Sequence, residues 1–340
     1  MSIELEKAVD LIERAAEELF ESDSTVRSVG VIRTGAGGYG FRAVRNSAIP
    51  TPLNARTLPV REVLEIPVFY TDTFGEVESQ LLVPGTGPAT PSNSSSVPEV
   101  NPHSPLVCGL QIQNYDDDNR EGTLQQGYMI IGTLGCFALS ANGQTAALSN
   151  NHVMAGENRG LKNQDRILQS GSVAFQSAQH VATLTDFIPL QTSPAGAKPH
   201  LGNVVYNEID AAIAELEATA AWSQSYLPTR GLTSPMGTAV AKLGDQVFKV
   251  GRTTGLTYGE VVDIATIVGP VGYSPGECWF RRSITIEGLN GSQFSNKGDS
   301  GSAILRTNGE VVGILYAGNG QQTYACPIGE VFNQLDCQLA

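Results

Sequence analysis

A chain of 340 residues exceeds the usual single-domain length, so it holds one large domain or two. With 41% hydrophobic and only 16% charged residues it is globular and able to form a core, and its 37 glycines suit a β-rich protein with many tight turns. A formal net charge of −13 argues against nucleic acid and anionic membranes as partners, and no stretch approaches the length of a transmembrane helix.

Residues 1–20 carry Glu4, Glu6, Asp10, Glu13, Glu17 and Glu18 with no basic start and no apolar run, which is not the pattern of a secretory signal. The expectation is a cytoplasmic chain. Cys108, Cys136, Cys278, Cys326 and Cys337 are then free thiols, with a Cys326–Cys337 bridge as the alternative. Their spacing is not that of a metal site, and neither a metal nor a cofactor is called for. Residues 3–20 read as an amphipathic helix with Leu5, Val9, Ile12, Ala16 and Leu19 on one face. That face packs on its own domain or on a second subunit, which leaves a homo-oligomer through the N-terminal region open.

Short β-forming segments follow at Val26–Ile32, Phe41–Val44, Ile66–Tyr70 and Val77–Val83. Between the first two, Gly35-Ala36-Gly37-Gly38-Tyr39-Gly40 matches the dinucleotide fingerprint formally. The fingerprint needs a helix next, and Phe41-Arg42-Ala43-Val44-Arg45 alternates like a strand, so the reading is a hairpin loop. Residues 84–105 are crowded with Pro, Gly and Ser and predict an extended, mobile connector. The chain thus divides into a helix plus a small β-rich region (1–83), the connector (84–105) and a main domain (106–340). In that domain Asn114–Glu121, with three consecutive aspartates, lacks the glycine and acceptor positions of a calcium loop and reads as a solvated acidic turn.

From Tyr128 onward the signal is all β. Runs at 129–131, 134–139 and 145–148 are punctuated by glycines, and Asn142-Gly143 marks a hairpin. Further strands are expected at 173–175, 180–184, 209–216, 246–250, 259–268, 283–286, 303–305 and 311–315, with a closing helix over 328–335. Many short strands at close spacing indicate barrels or a sandwich.

Lys297-Gly298-Asp299-Ser300-Gly301-Ser302 combines a serine with glycines on both sides. Such a turn can present a hydroxyl beside two backbone N–H groups, which a nucleophile and its oxyanion need. It is also a common polar hairpin turn. A base decides between the two. His103 lies in the connector, His200 in a Pro/Gly-rich loop and His180 at the start of a strand, whereas His152 directly follows the strand 145–148, where an imidazole can be held rigidly. The carboxylate that would orient it is best supplied by Asp210, set among small and apolar residues, with Asp186 as runner-up. The order His152, Asp210, Ser300 is that of the chymotrypsin arrangement.

These residues carry a family resemblance. Gly132-Thr133-Leu134-Gly135-Cys136, Leu148 to Val153, Asp210 to Ala214, Lys249 to Gly259 and Phe294 to Ser302 resemble a trypsin-like serine peptidase, and most closely the plant Narrow Leaf-type peptidases and their bacterial relatives. The resemblance covers roughly residues 127–320 and implies a mainly β fold, a chymotrypsin-like double β-barrel. His152 and Asp210 would come from the first barrel and Ser300 from the second, with the N–H groups of Gly298 and Ser300 forming the oxyanion hole. Two departures bear on activity. Ile130-Ile131-Gly132 could mimic the activation terminus of the secreted enzymes but lies too close before His152 to leave room for the first strands, so no such activation step is expected and Asp299 is expected to be held by internal partners. Phe294 stands six residues before the serine, where trypsins carry an acid, and Tyr316 replaces a serine on the strand Leu315-Tyr316-Ala317-Gly318 that would pair with substrate. Phe294, Lys297, Tyr316, Ala317 and Gly318 are the expected substrate contacts, with an apolar or small side chain before the scissile bond. The expected activity is a serine endopeptidase acting on protein or peptide. A protease-like scaffold for binding or assembly, or an esterase or amidase with the same triad, are the alternatives.

Overall fold

In a computed structural model, the structure describes residues 3–35, 37–46, 61–64, 66–73, 76–79, 97–120, 129–170 and 177–340. The expected strand at 173–175 and most of the connector lie outside them. Strands dominate, arranged in two large sheets with a helix at the N-terminus.

The first sheet runs in the order Cys337–Leu339, Cys136–Ser140, Thr145–Ser149, Ala212–Leu216, His180–Phe187, Arg166–Gln169, Gln111–Asn114, Ile131–Thr133. Its central hairpin forms where Asn142-Gly143 predicts it, with Gly143 at φ +82 and Cys136–Leu139 paired antiparallel to Thr145–Leu148. The second sheet is built around a long hairpin, Gly255–Tyr273 with Gly276–Gly288, flanked by Gln246–Gly251, Ala303–Arg306, Glu310–Gly318 and Gln322–Pro327. One sheet curls into a near-barrel and the other into a half-barrel. Together they make the chymotrypsin-like double β-barrel that the motifs imply. A single buried cluster spans both, from Leu110, Leu148 and Ile213 to Phe248, Phe280 and Tyr316. The burial of so many large apolar side chains at the junction fixes the two sheets against each other.

The glycine-rich turn joins two antiparallel strands, Val26–Arg33 and Tyr39–Asn46, as a hairpin. This hairpin extends the second sheet through Ser28, Val29 and Val31, which pair with Val268, Ile267 and Ile264. The helix Leu5–Ser22 packs over it on its own chain. Its buried face is Ala8, Ile12, Ala15, Ala16, Leu19 and Phe20, while Leu5 and Val9 of the expected face are only half-buried. Small alanines let the helix axis approach the sheet, and Phe20 meets Trp279 edge-on at 5.0 Å between ring centres. No helix among the described residues is long and apolar enough to cross a membrane.

Two expectations are corrected. The described end of the connector is anchored rather than mobile: buried Glu99 receives two bonds from Arg230, at 2.6 and 2.7 Å, and His103 Nδ1 lies 2.7 Å from Pro105 O. The acidic stretch is not a solvated turn. Tyr115–Asn119 is a short helix whose Asp117 and Asp118 are buried. Arg120 and Arg159 meet Asp117, and Gln113 and the N–H of Ile130 meet Asp118, so burial is offset by specific partners.

Candidate active site

His152 lies in the single helical turn Asn151–Met154 that follows the strand Thr145–Ser149, as the sequence places it. Asp210 precedes the neighbouring strand Ala212–Leu216, and the antiparallel register Ala212↔Ser149 brings the two chain segments side by side. The result is direct contact: His152 Nδ1 and Asp210 Oδ2 are 2.5 Å apart, and the backbone N–H of His152 donates to Asp210 Oδ1 at 3.2 Å. Asn150 Nδ2 donates to Asp210 O at 2.6 Å, and the Asp210 N–H donates to Cys326 Sγ at 3.2 Å, which pins the aspartate from both sides. Both residues have zero exposure. The runner-up Asp186 is half-exposed and paired with Lys162, far from this role. His180 contacts Ala182 O at 3.1 Å, a structural histidine.

The sequence reading missed one partner of this pair. Tyr273 Oη donates to Asp210 Oδ2 at 2.9 Å, and its ring lies 5.8 Å from the imidazole. Burial, reinforced by the Asp210 carboxylate, pushes the phenol well above its ordinary range, so it stays a neutral donor. Tyr273 sits at the far end of Gly255–Tyr273, beyond the segment predicted as a strand, and nothing local in the sequence links it to Asp210.

The serine turn, from the second sheet, packs on the strand Ile131–Thr133 and on Ser149 of the first. Thr133 N–H donates to Ser300 O at 2.8 Å, Thr133 Oγ1 donates to Gly298 O at 2.9 Å, and Ser149 Oγ donates to Thr133 O at 2.7 Å. The fit is close: a Cβ on Gly132 would stand 2.4 Å from Val153 and 3.0 Å from Ser300 O. Gly298 and Gly301 take φ +99 and +89, and a Cβ at Gly301 would lie 2.0 Å from Ser149 Oγ. Within the turn, the N–H groups of Asp299, Gly301 and Ser302 donate to Asn296, Leu315 and Asp299 carbonyls. Those of Gly298 and Ser300 donate to no acceptor among the described residues. Ser300 Oγ and His152 Nε2 are both buried and without a hydrogen-bond partner.

Asp299 has internal partners, as expected. It accepts from the N–H groups of Thr253 and Thr254 at 2.9 and 3.1 Å, from Thr254 Oγ1 at 2.6 Å and from Asn296 N–H at 2.9 Å. Its counter-charge is Lys249, whose Nζ lies 3.4 Å away with neither side chain exposed. Burial pulls the lysine's pKa down while Asp299 opposes the pull, and Gly255 O takes a further bond from Nζ at 3.0 Å. A lysine inside Val247-Phe248-Lys249-Val250 is the signal for this partner in the sequence.

The expected substrate contacts separate into two groups. Phe294 is buried in a core cluster of the second sheet with Val247, Val261 and Ile286, and Lys249 Nζ lies 5.9 Å from its ring centre. Tyr316 is buried with its ring on Phe280 at 4.4 Å and its hydroxyl 2.8 Å from Ser283 Oγ. Both side chains are spent on packing. Lys297 is half-exposed, and Ala317 and Gly318 form the end of the strand Glu310–Gly318. Among the described residues no group of three His, Cys, Asp or Glu side chains could hold a metal ion, and all five thiols are free.

Residues 228–325, which include the serine turn, the Lys249 strand and the strand Glu310–Gly318, match the model of the Nal1 C-terminal domain. No curated protein matches the chain. Among solved structures, a Cellulomonas bogoriensis chymotrypsin is similar at 16% identity over 69% of this chain and 98% of that one, with a TM-score of 0.44. A Nocardiopsis protease is similar at 18% identity over the same shares, with a TM-score of 0.42. Thermobifida fusca protease A matches at 16% identity over 62% of this chain and 91% of its own, with a TM-score of 0.42. The fold is a chymotrypsin-like double β-barrel, and its residues 228–325 are similar to the Nal1 C-terminal domain.

Proposed function

We propose that the protein is a serine endopeptidase in which Ser300 is the nucleophile, His152 the general base and Asp210 the residue that orients it. One observation carries this reading. The imidazole is held through Nδ1 by a buried carboxylate, and its Nε2 and the Ser300 hydroxyl are two of nine buried side-chain polar atoms without a hydrogen-bond partner among the described residues. A buried polar atom without a partner is costly, and a reacting site is where such a cost is retained.

In this reading Ser300 Oγ attacks the scissile carbonyl carbon while its proton passes to His152 Nε2. The carbonyl oxygen becomes an oxyanion facing the N–H groups of Gly298 and Ser300, which have no other acceptor among the described residues. Collapse expels the amine, which takes the proton from Nε2 and leaves an acyl-enzyme. Water then repeats the sequence and frees the acid. Asp210, whose Oδ2 also accepts from Tyr273 Oη, stabilises the imidazolium formed in each half.

The test is covalent labelling with a fluorophosphonate followed by peptide mapping. Modification at Ser300 is expected, with none in Ser300→Ala, whose peptide turnover should fall by roughly a millionfold. A Ser300→Ala protein that keeps full peptidase activity overturns the assignment. Ester hydrolysis without cleavage of any protein would favour an esterase on the same residues.

A further inference from the structure

Two residues before the connector lie where a substrate would go. Glu78–Ser79 form a two-residue strand paired antiparallel to the end of Glu310–Gly318, with Ser79 opposite Ala317 and Glu78 opposite Gly318. On its other side Glu78 pairs with Gly272. Ala317 and Gly318 are the edge that a peptide substrate would join by strand addition, and an edge already paired cannot accept a second strand. The direction also fits. Antiparallel to Ala317–Gly318, the chain runs from Glu78 to Ser79 toward Leu315, which is bonded to the serine turn through Gly301 N–H and Ser302 O.

Two further contacts hold the segment. Val77 is 1% exposed and anchored in the large core that also contains Tyr273 and Tyr316. Glu78 Oε2 meets Lys297 Nζ at 2.5 Å, on the residue adjoining Gly298.

We propose that Val77–Ser79 is a built-in occupant of the peptide-binding edge, so that the protein is self-inhibited and a polypeptide must displace this segment to be cut. The proposal rests on reading Ser300 as the nucleophile. Beyond the Val77 anchor the hold is slight: two residues of ladder on the Ala317–Gly318 edge, one bridge to Gly272 and one half-exposed ion pair. Displacement is therefore within reach of a good substrate, and small molecules that need no strand pairing are less affected.

The test uses the full chain as wild type, as Glu78→Lys, as Ser79→Pro and as the conservative Glu78→Asp. Each is assayed for fluorophosphonate labelling, for hydrolysis of a small ester and for cleavage of casein. Glu78→Lys sets two cations against each other, and Ser79→Pro removes a backbone donor. Both are expected to raise casein cleavage about tenfold through a lower KM, because a larger fraction of molecules offers a free edge, while ester hydrolysis changes little. Glu78→Asp, which keeps the charge facing Lys297, should leave casein cleavage near the wild-type level. If Ser300 is labelled in every protein but casein cleavage is the same in all, the occupant idea fails and the peptidase reading stands. If Ser300 is labelled in none, the peptidase reading fails and the proposal falls with it.

Discussion

With Ser300 as the proposed nucleophile, three side chains away from its hydroxyl are expected to govern activity. Asp210 is the first: with its carboxylate replaced by an amide the imidazole loses its orienting partner, and Asp210→Asn should cost about ten-thousandfold in kcat. Tyr273 acts through that carboxylate, so Tyr273→Phe removes one hydrogen bond to a charged group and should lower kcat/KM about 10- to 100-fold. Steady-state kinetics on one peptide separates the two, since a purely structural Tyr273 would leave kcat unchanged. Lys249 is the third. It gives the turn the internal counter-charge that Asp299 needs, and Lys249→Met leaves a buried carboxylate unpaired. The expected loss is about 3–5 kcal/mol in urea unfolding, together with loss of fluorophosphonate labelling. Lys249→Met combined with Asp299→Asn should recover part of that stability, which a role for Lys249 in packing alone would not produce.

At the scale of elements, the N-terminal helix and its hairpin are part of the second sheet's packing rather than an appendage. Leu19 is fully buried against that hairpin, and Leu19→Ala should cost about 2–5 kcal/mol, read from the denaturant midpoint. An unchanged midpoint would mean that the helix docks independently of the fold. The elements were legible to different degrees, for physical reasons. Periodicity located the helix and put Ile12, Ala16 and Leu19 on its buried face, but it left out Ala8, Ala15 and Phe20, because close approach to a sheet favours small residues that hydrophobicity alone does not single out. Strands with apolar alternation were readable, while Gln111–Asn114 and Arg166–Gln169, rich in polar side chains, were not. Their polar groups are satisfied by partners remote in sequence, such as Arg252 on Gln111 at 2.6 Å and Asn114 on Asp165 at 3.0 Å. The His152–Asp210 contact could be anticipated because a lone carboxylate among apolar residues demands a partner, whereas the Tyr273 contact depends on the length of a hairpin that no local pattern specifies.

Across the whole molecule, the N-terminal strands are joined to the second barrel by a buried charge cluster. Arg42 donates to Asp263 Oδ2 through Nε and Nη2, at 3.1 and 2.6 Å, and to Glu287 Oε1 through Nη1 at 2.8 Å. Gly30 makes room for it, since a Cβ there would stand 2.6 Å from that of Asp263. Desolvation outweighs the attraction of Arg42 and pushes the Asp263 carboxyl up to about 6. The folded protein therefore binds a proton here between the ordinary carboxylate range and pH 6 that the unfolded chain does not. The stability tied to that proton is fully present below the unfolded pKa and is lost as the pH rises through about 6. Asp263→Asn carries no such proton. The stability of the wild type relative to this variant should fall, on the order of 1–3 kcal/mol, as the pH is raised from 4 to 7.5. Urea unfolding of both proteins at several pH values measures the difference. A difference that stays flat or grows with pH would mean that Arg42 keeps Asp263 ionised throughout, and the N-terminal strands would then be held to the barrel by a permanent ion pair rather than by a titrating one.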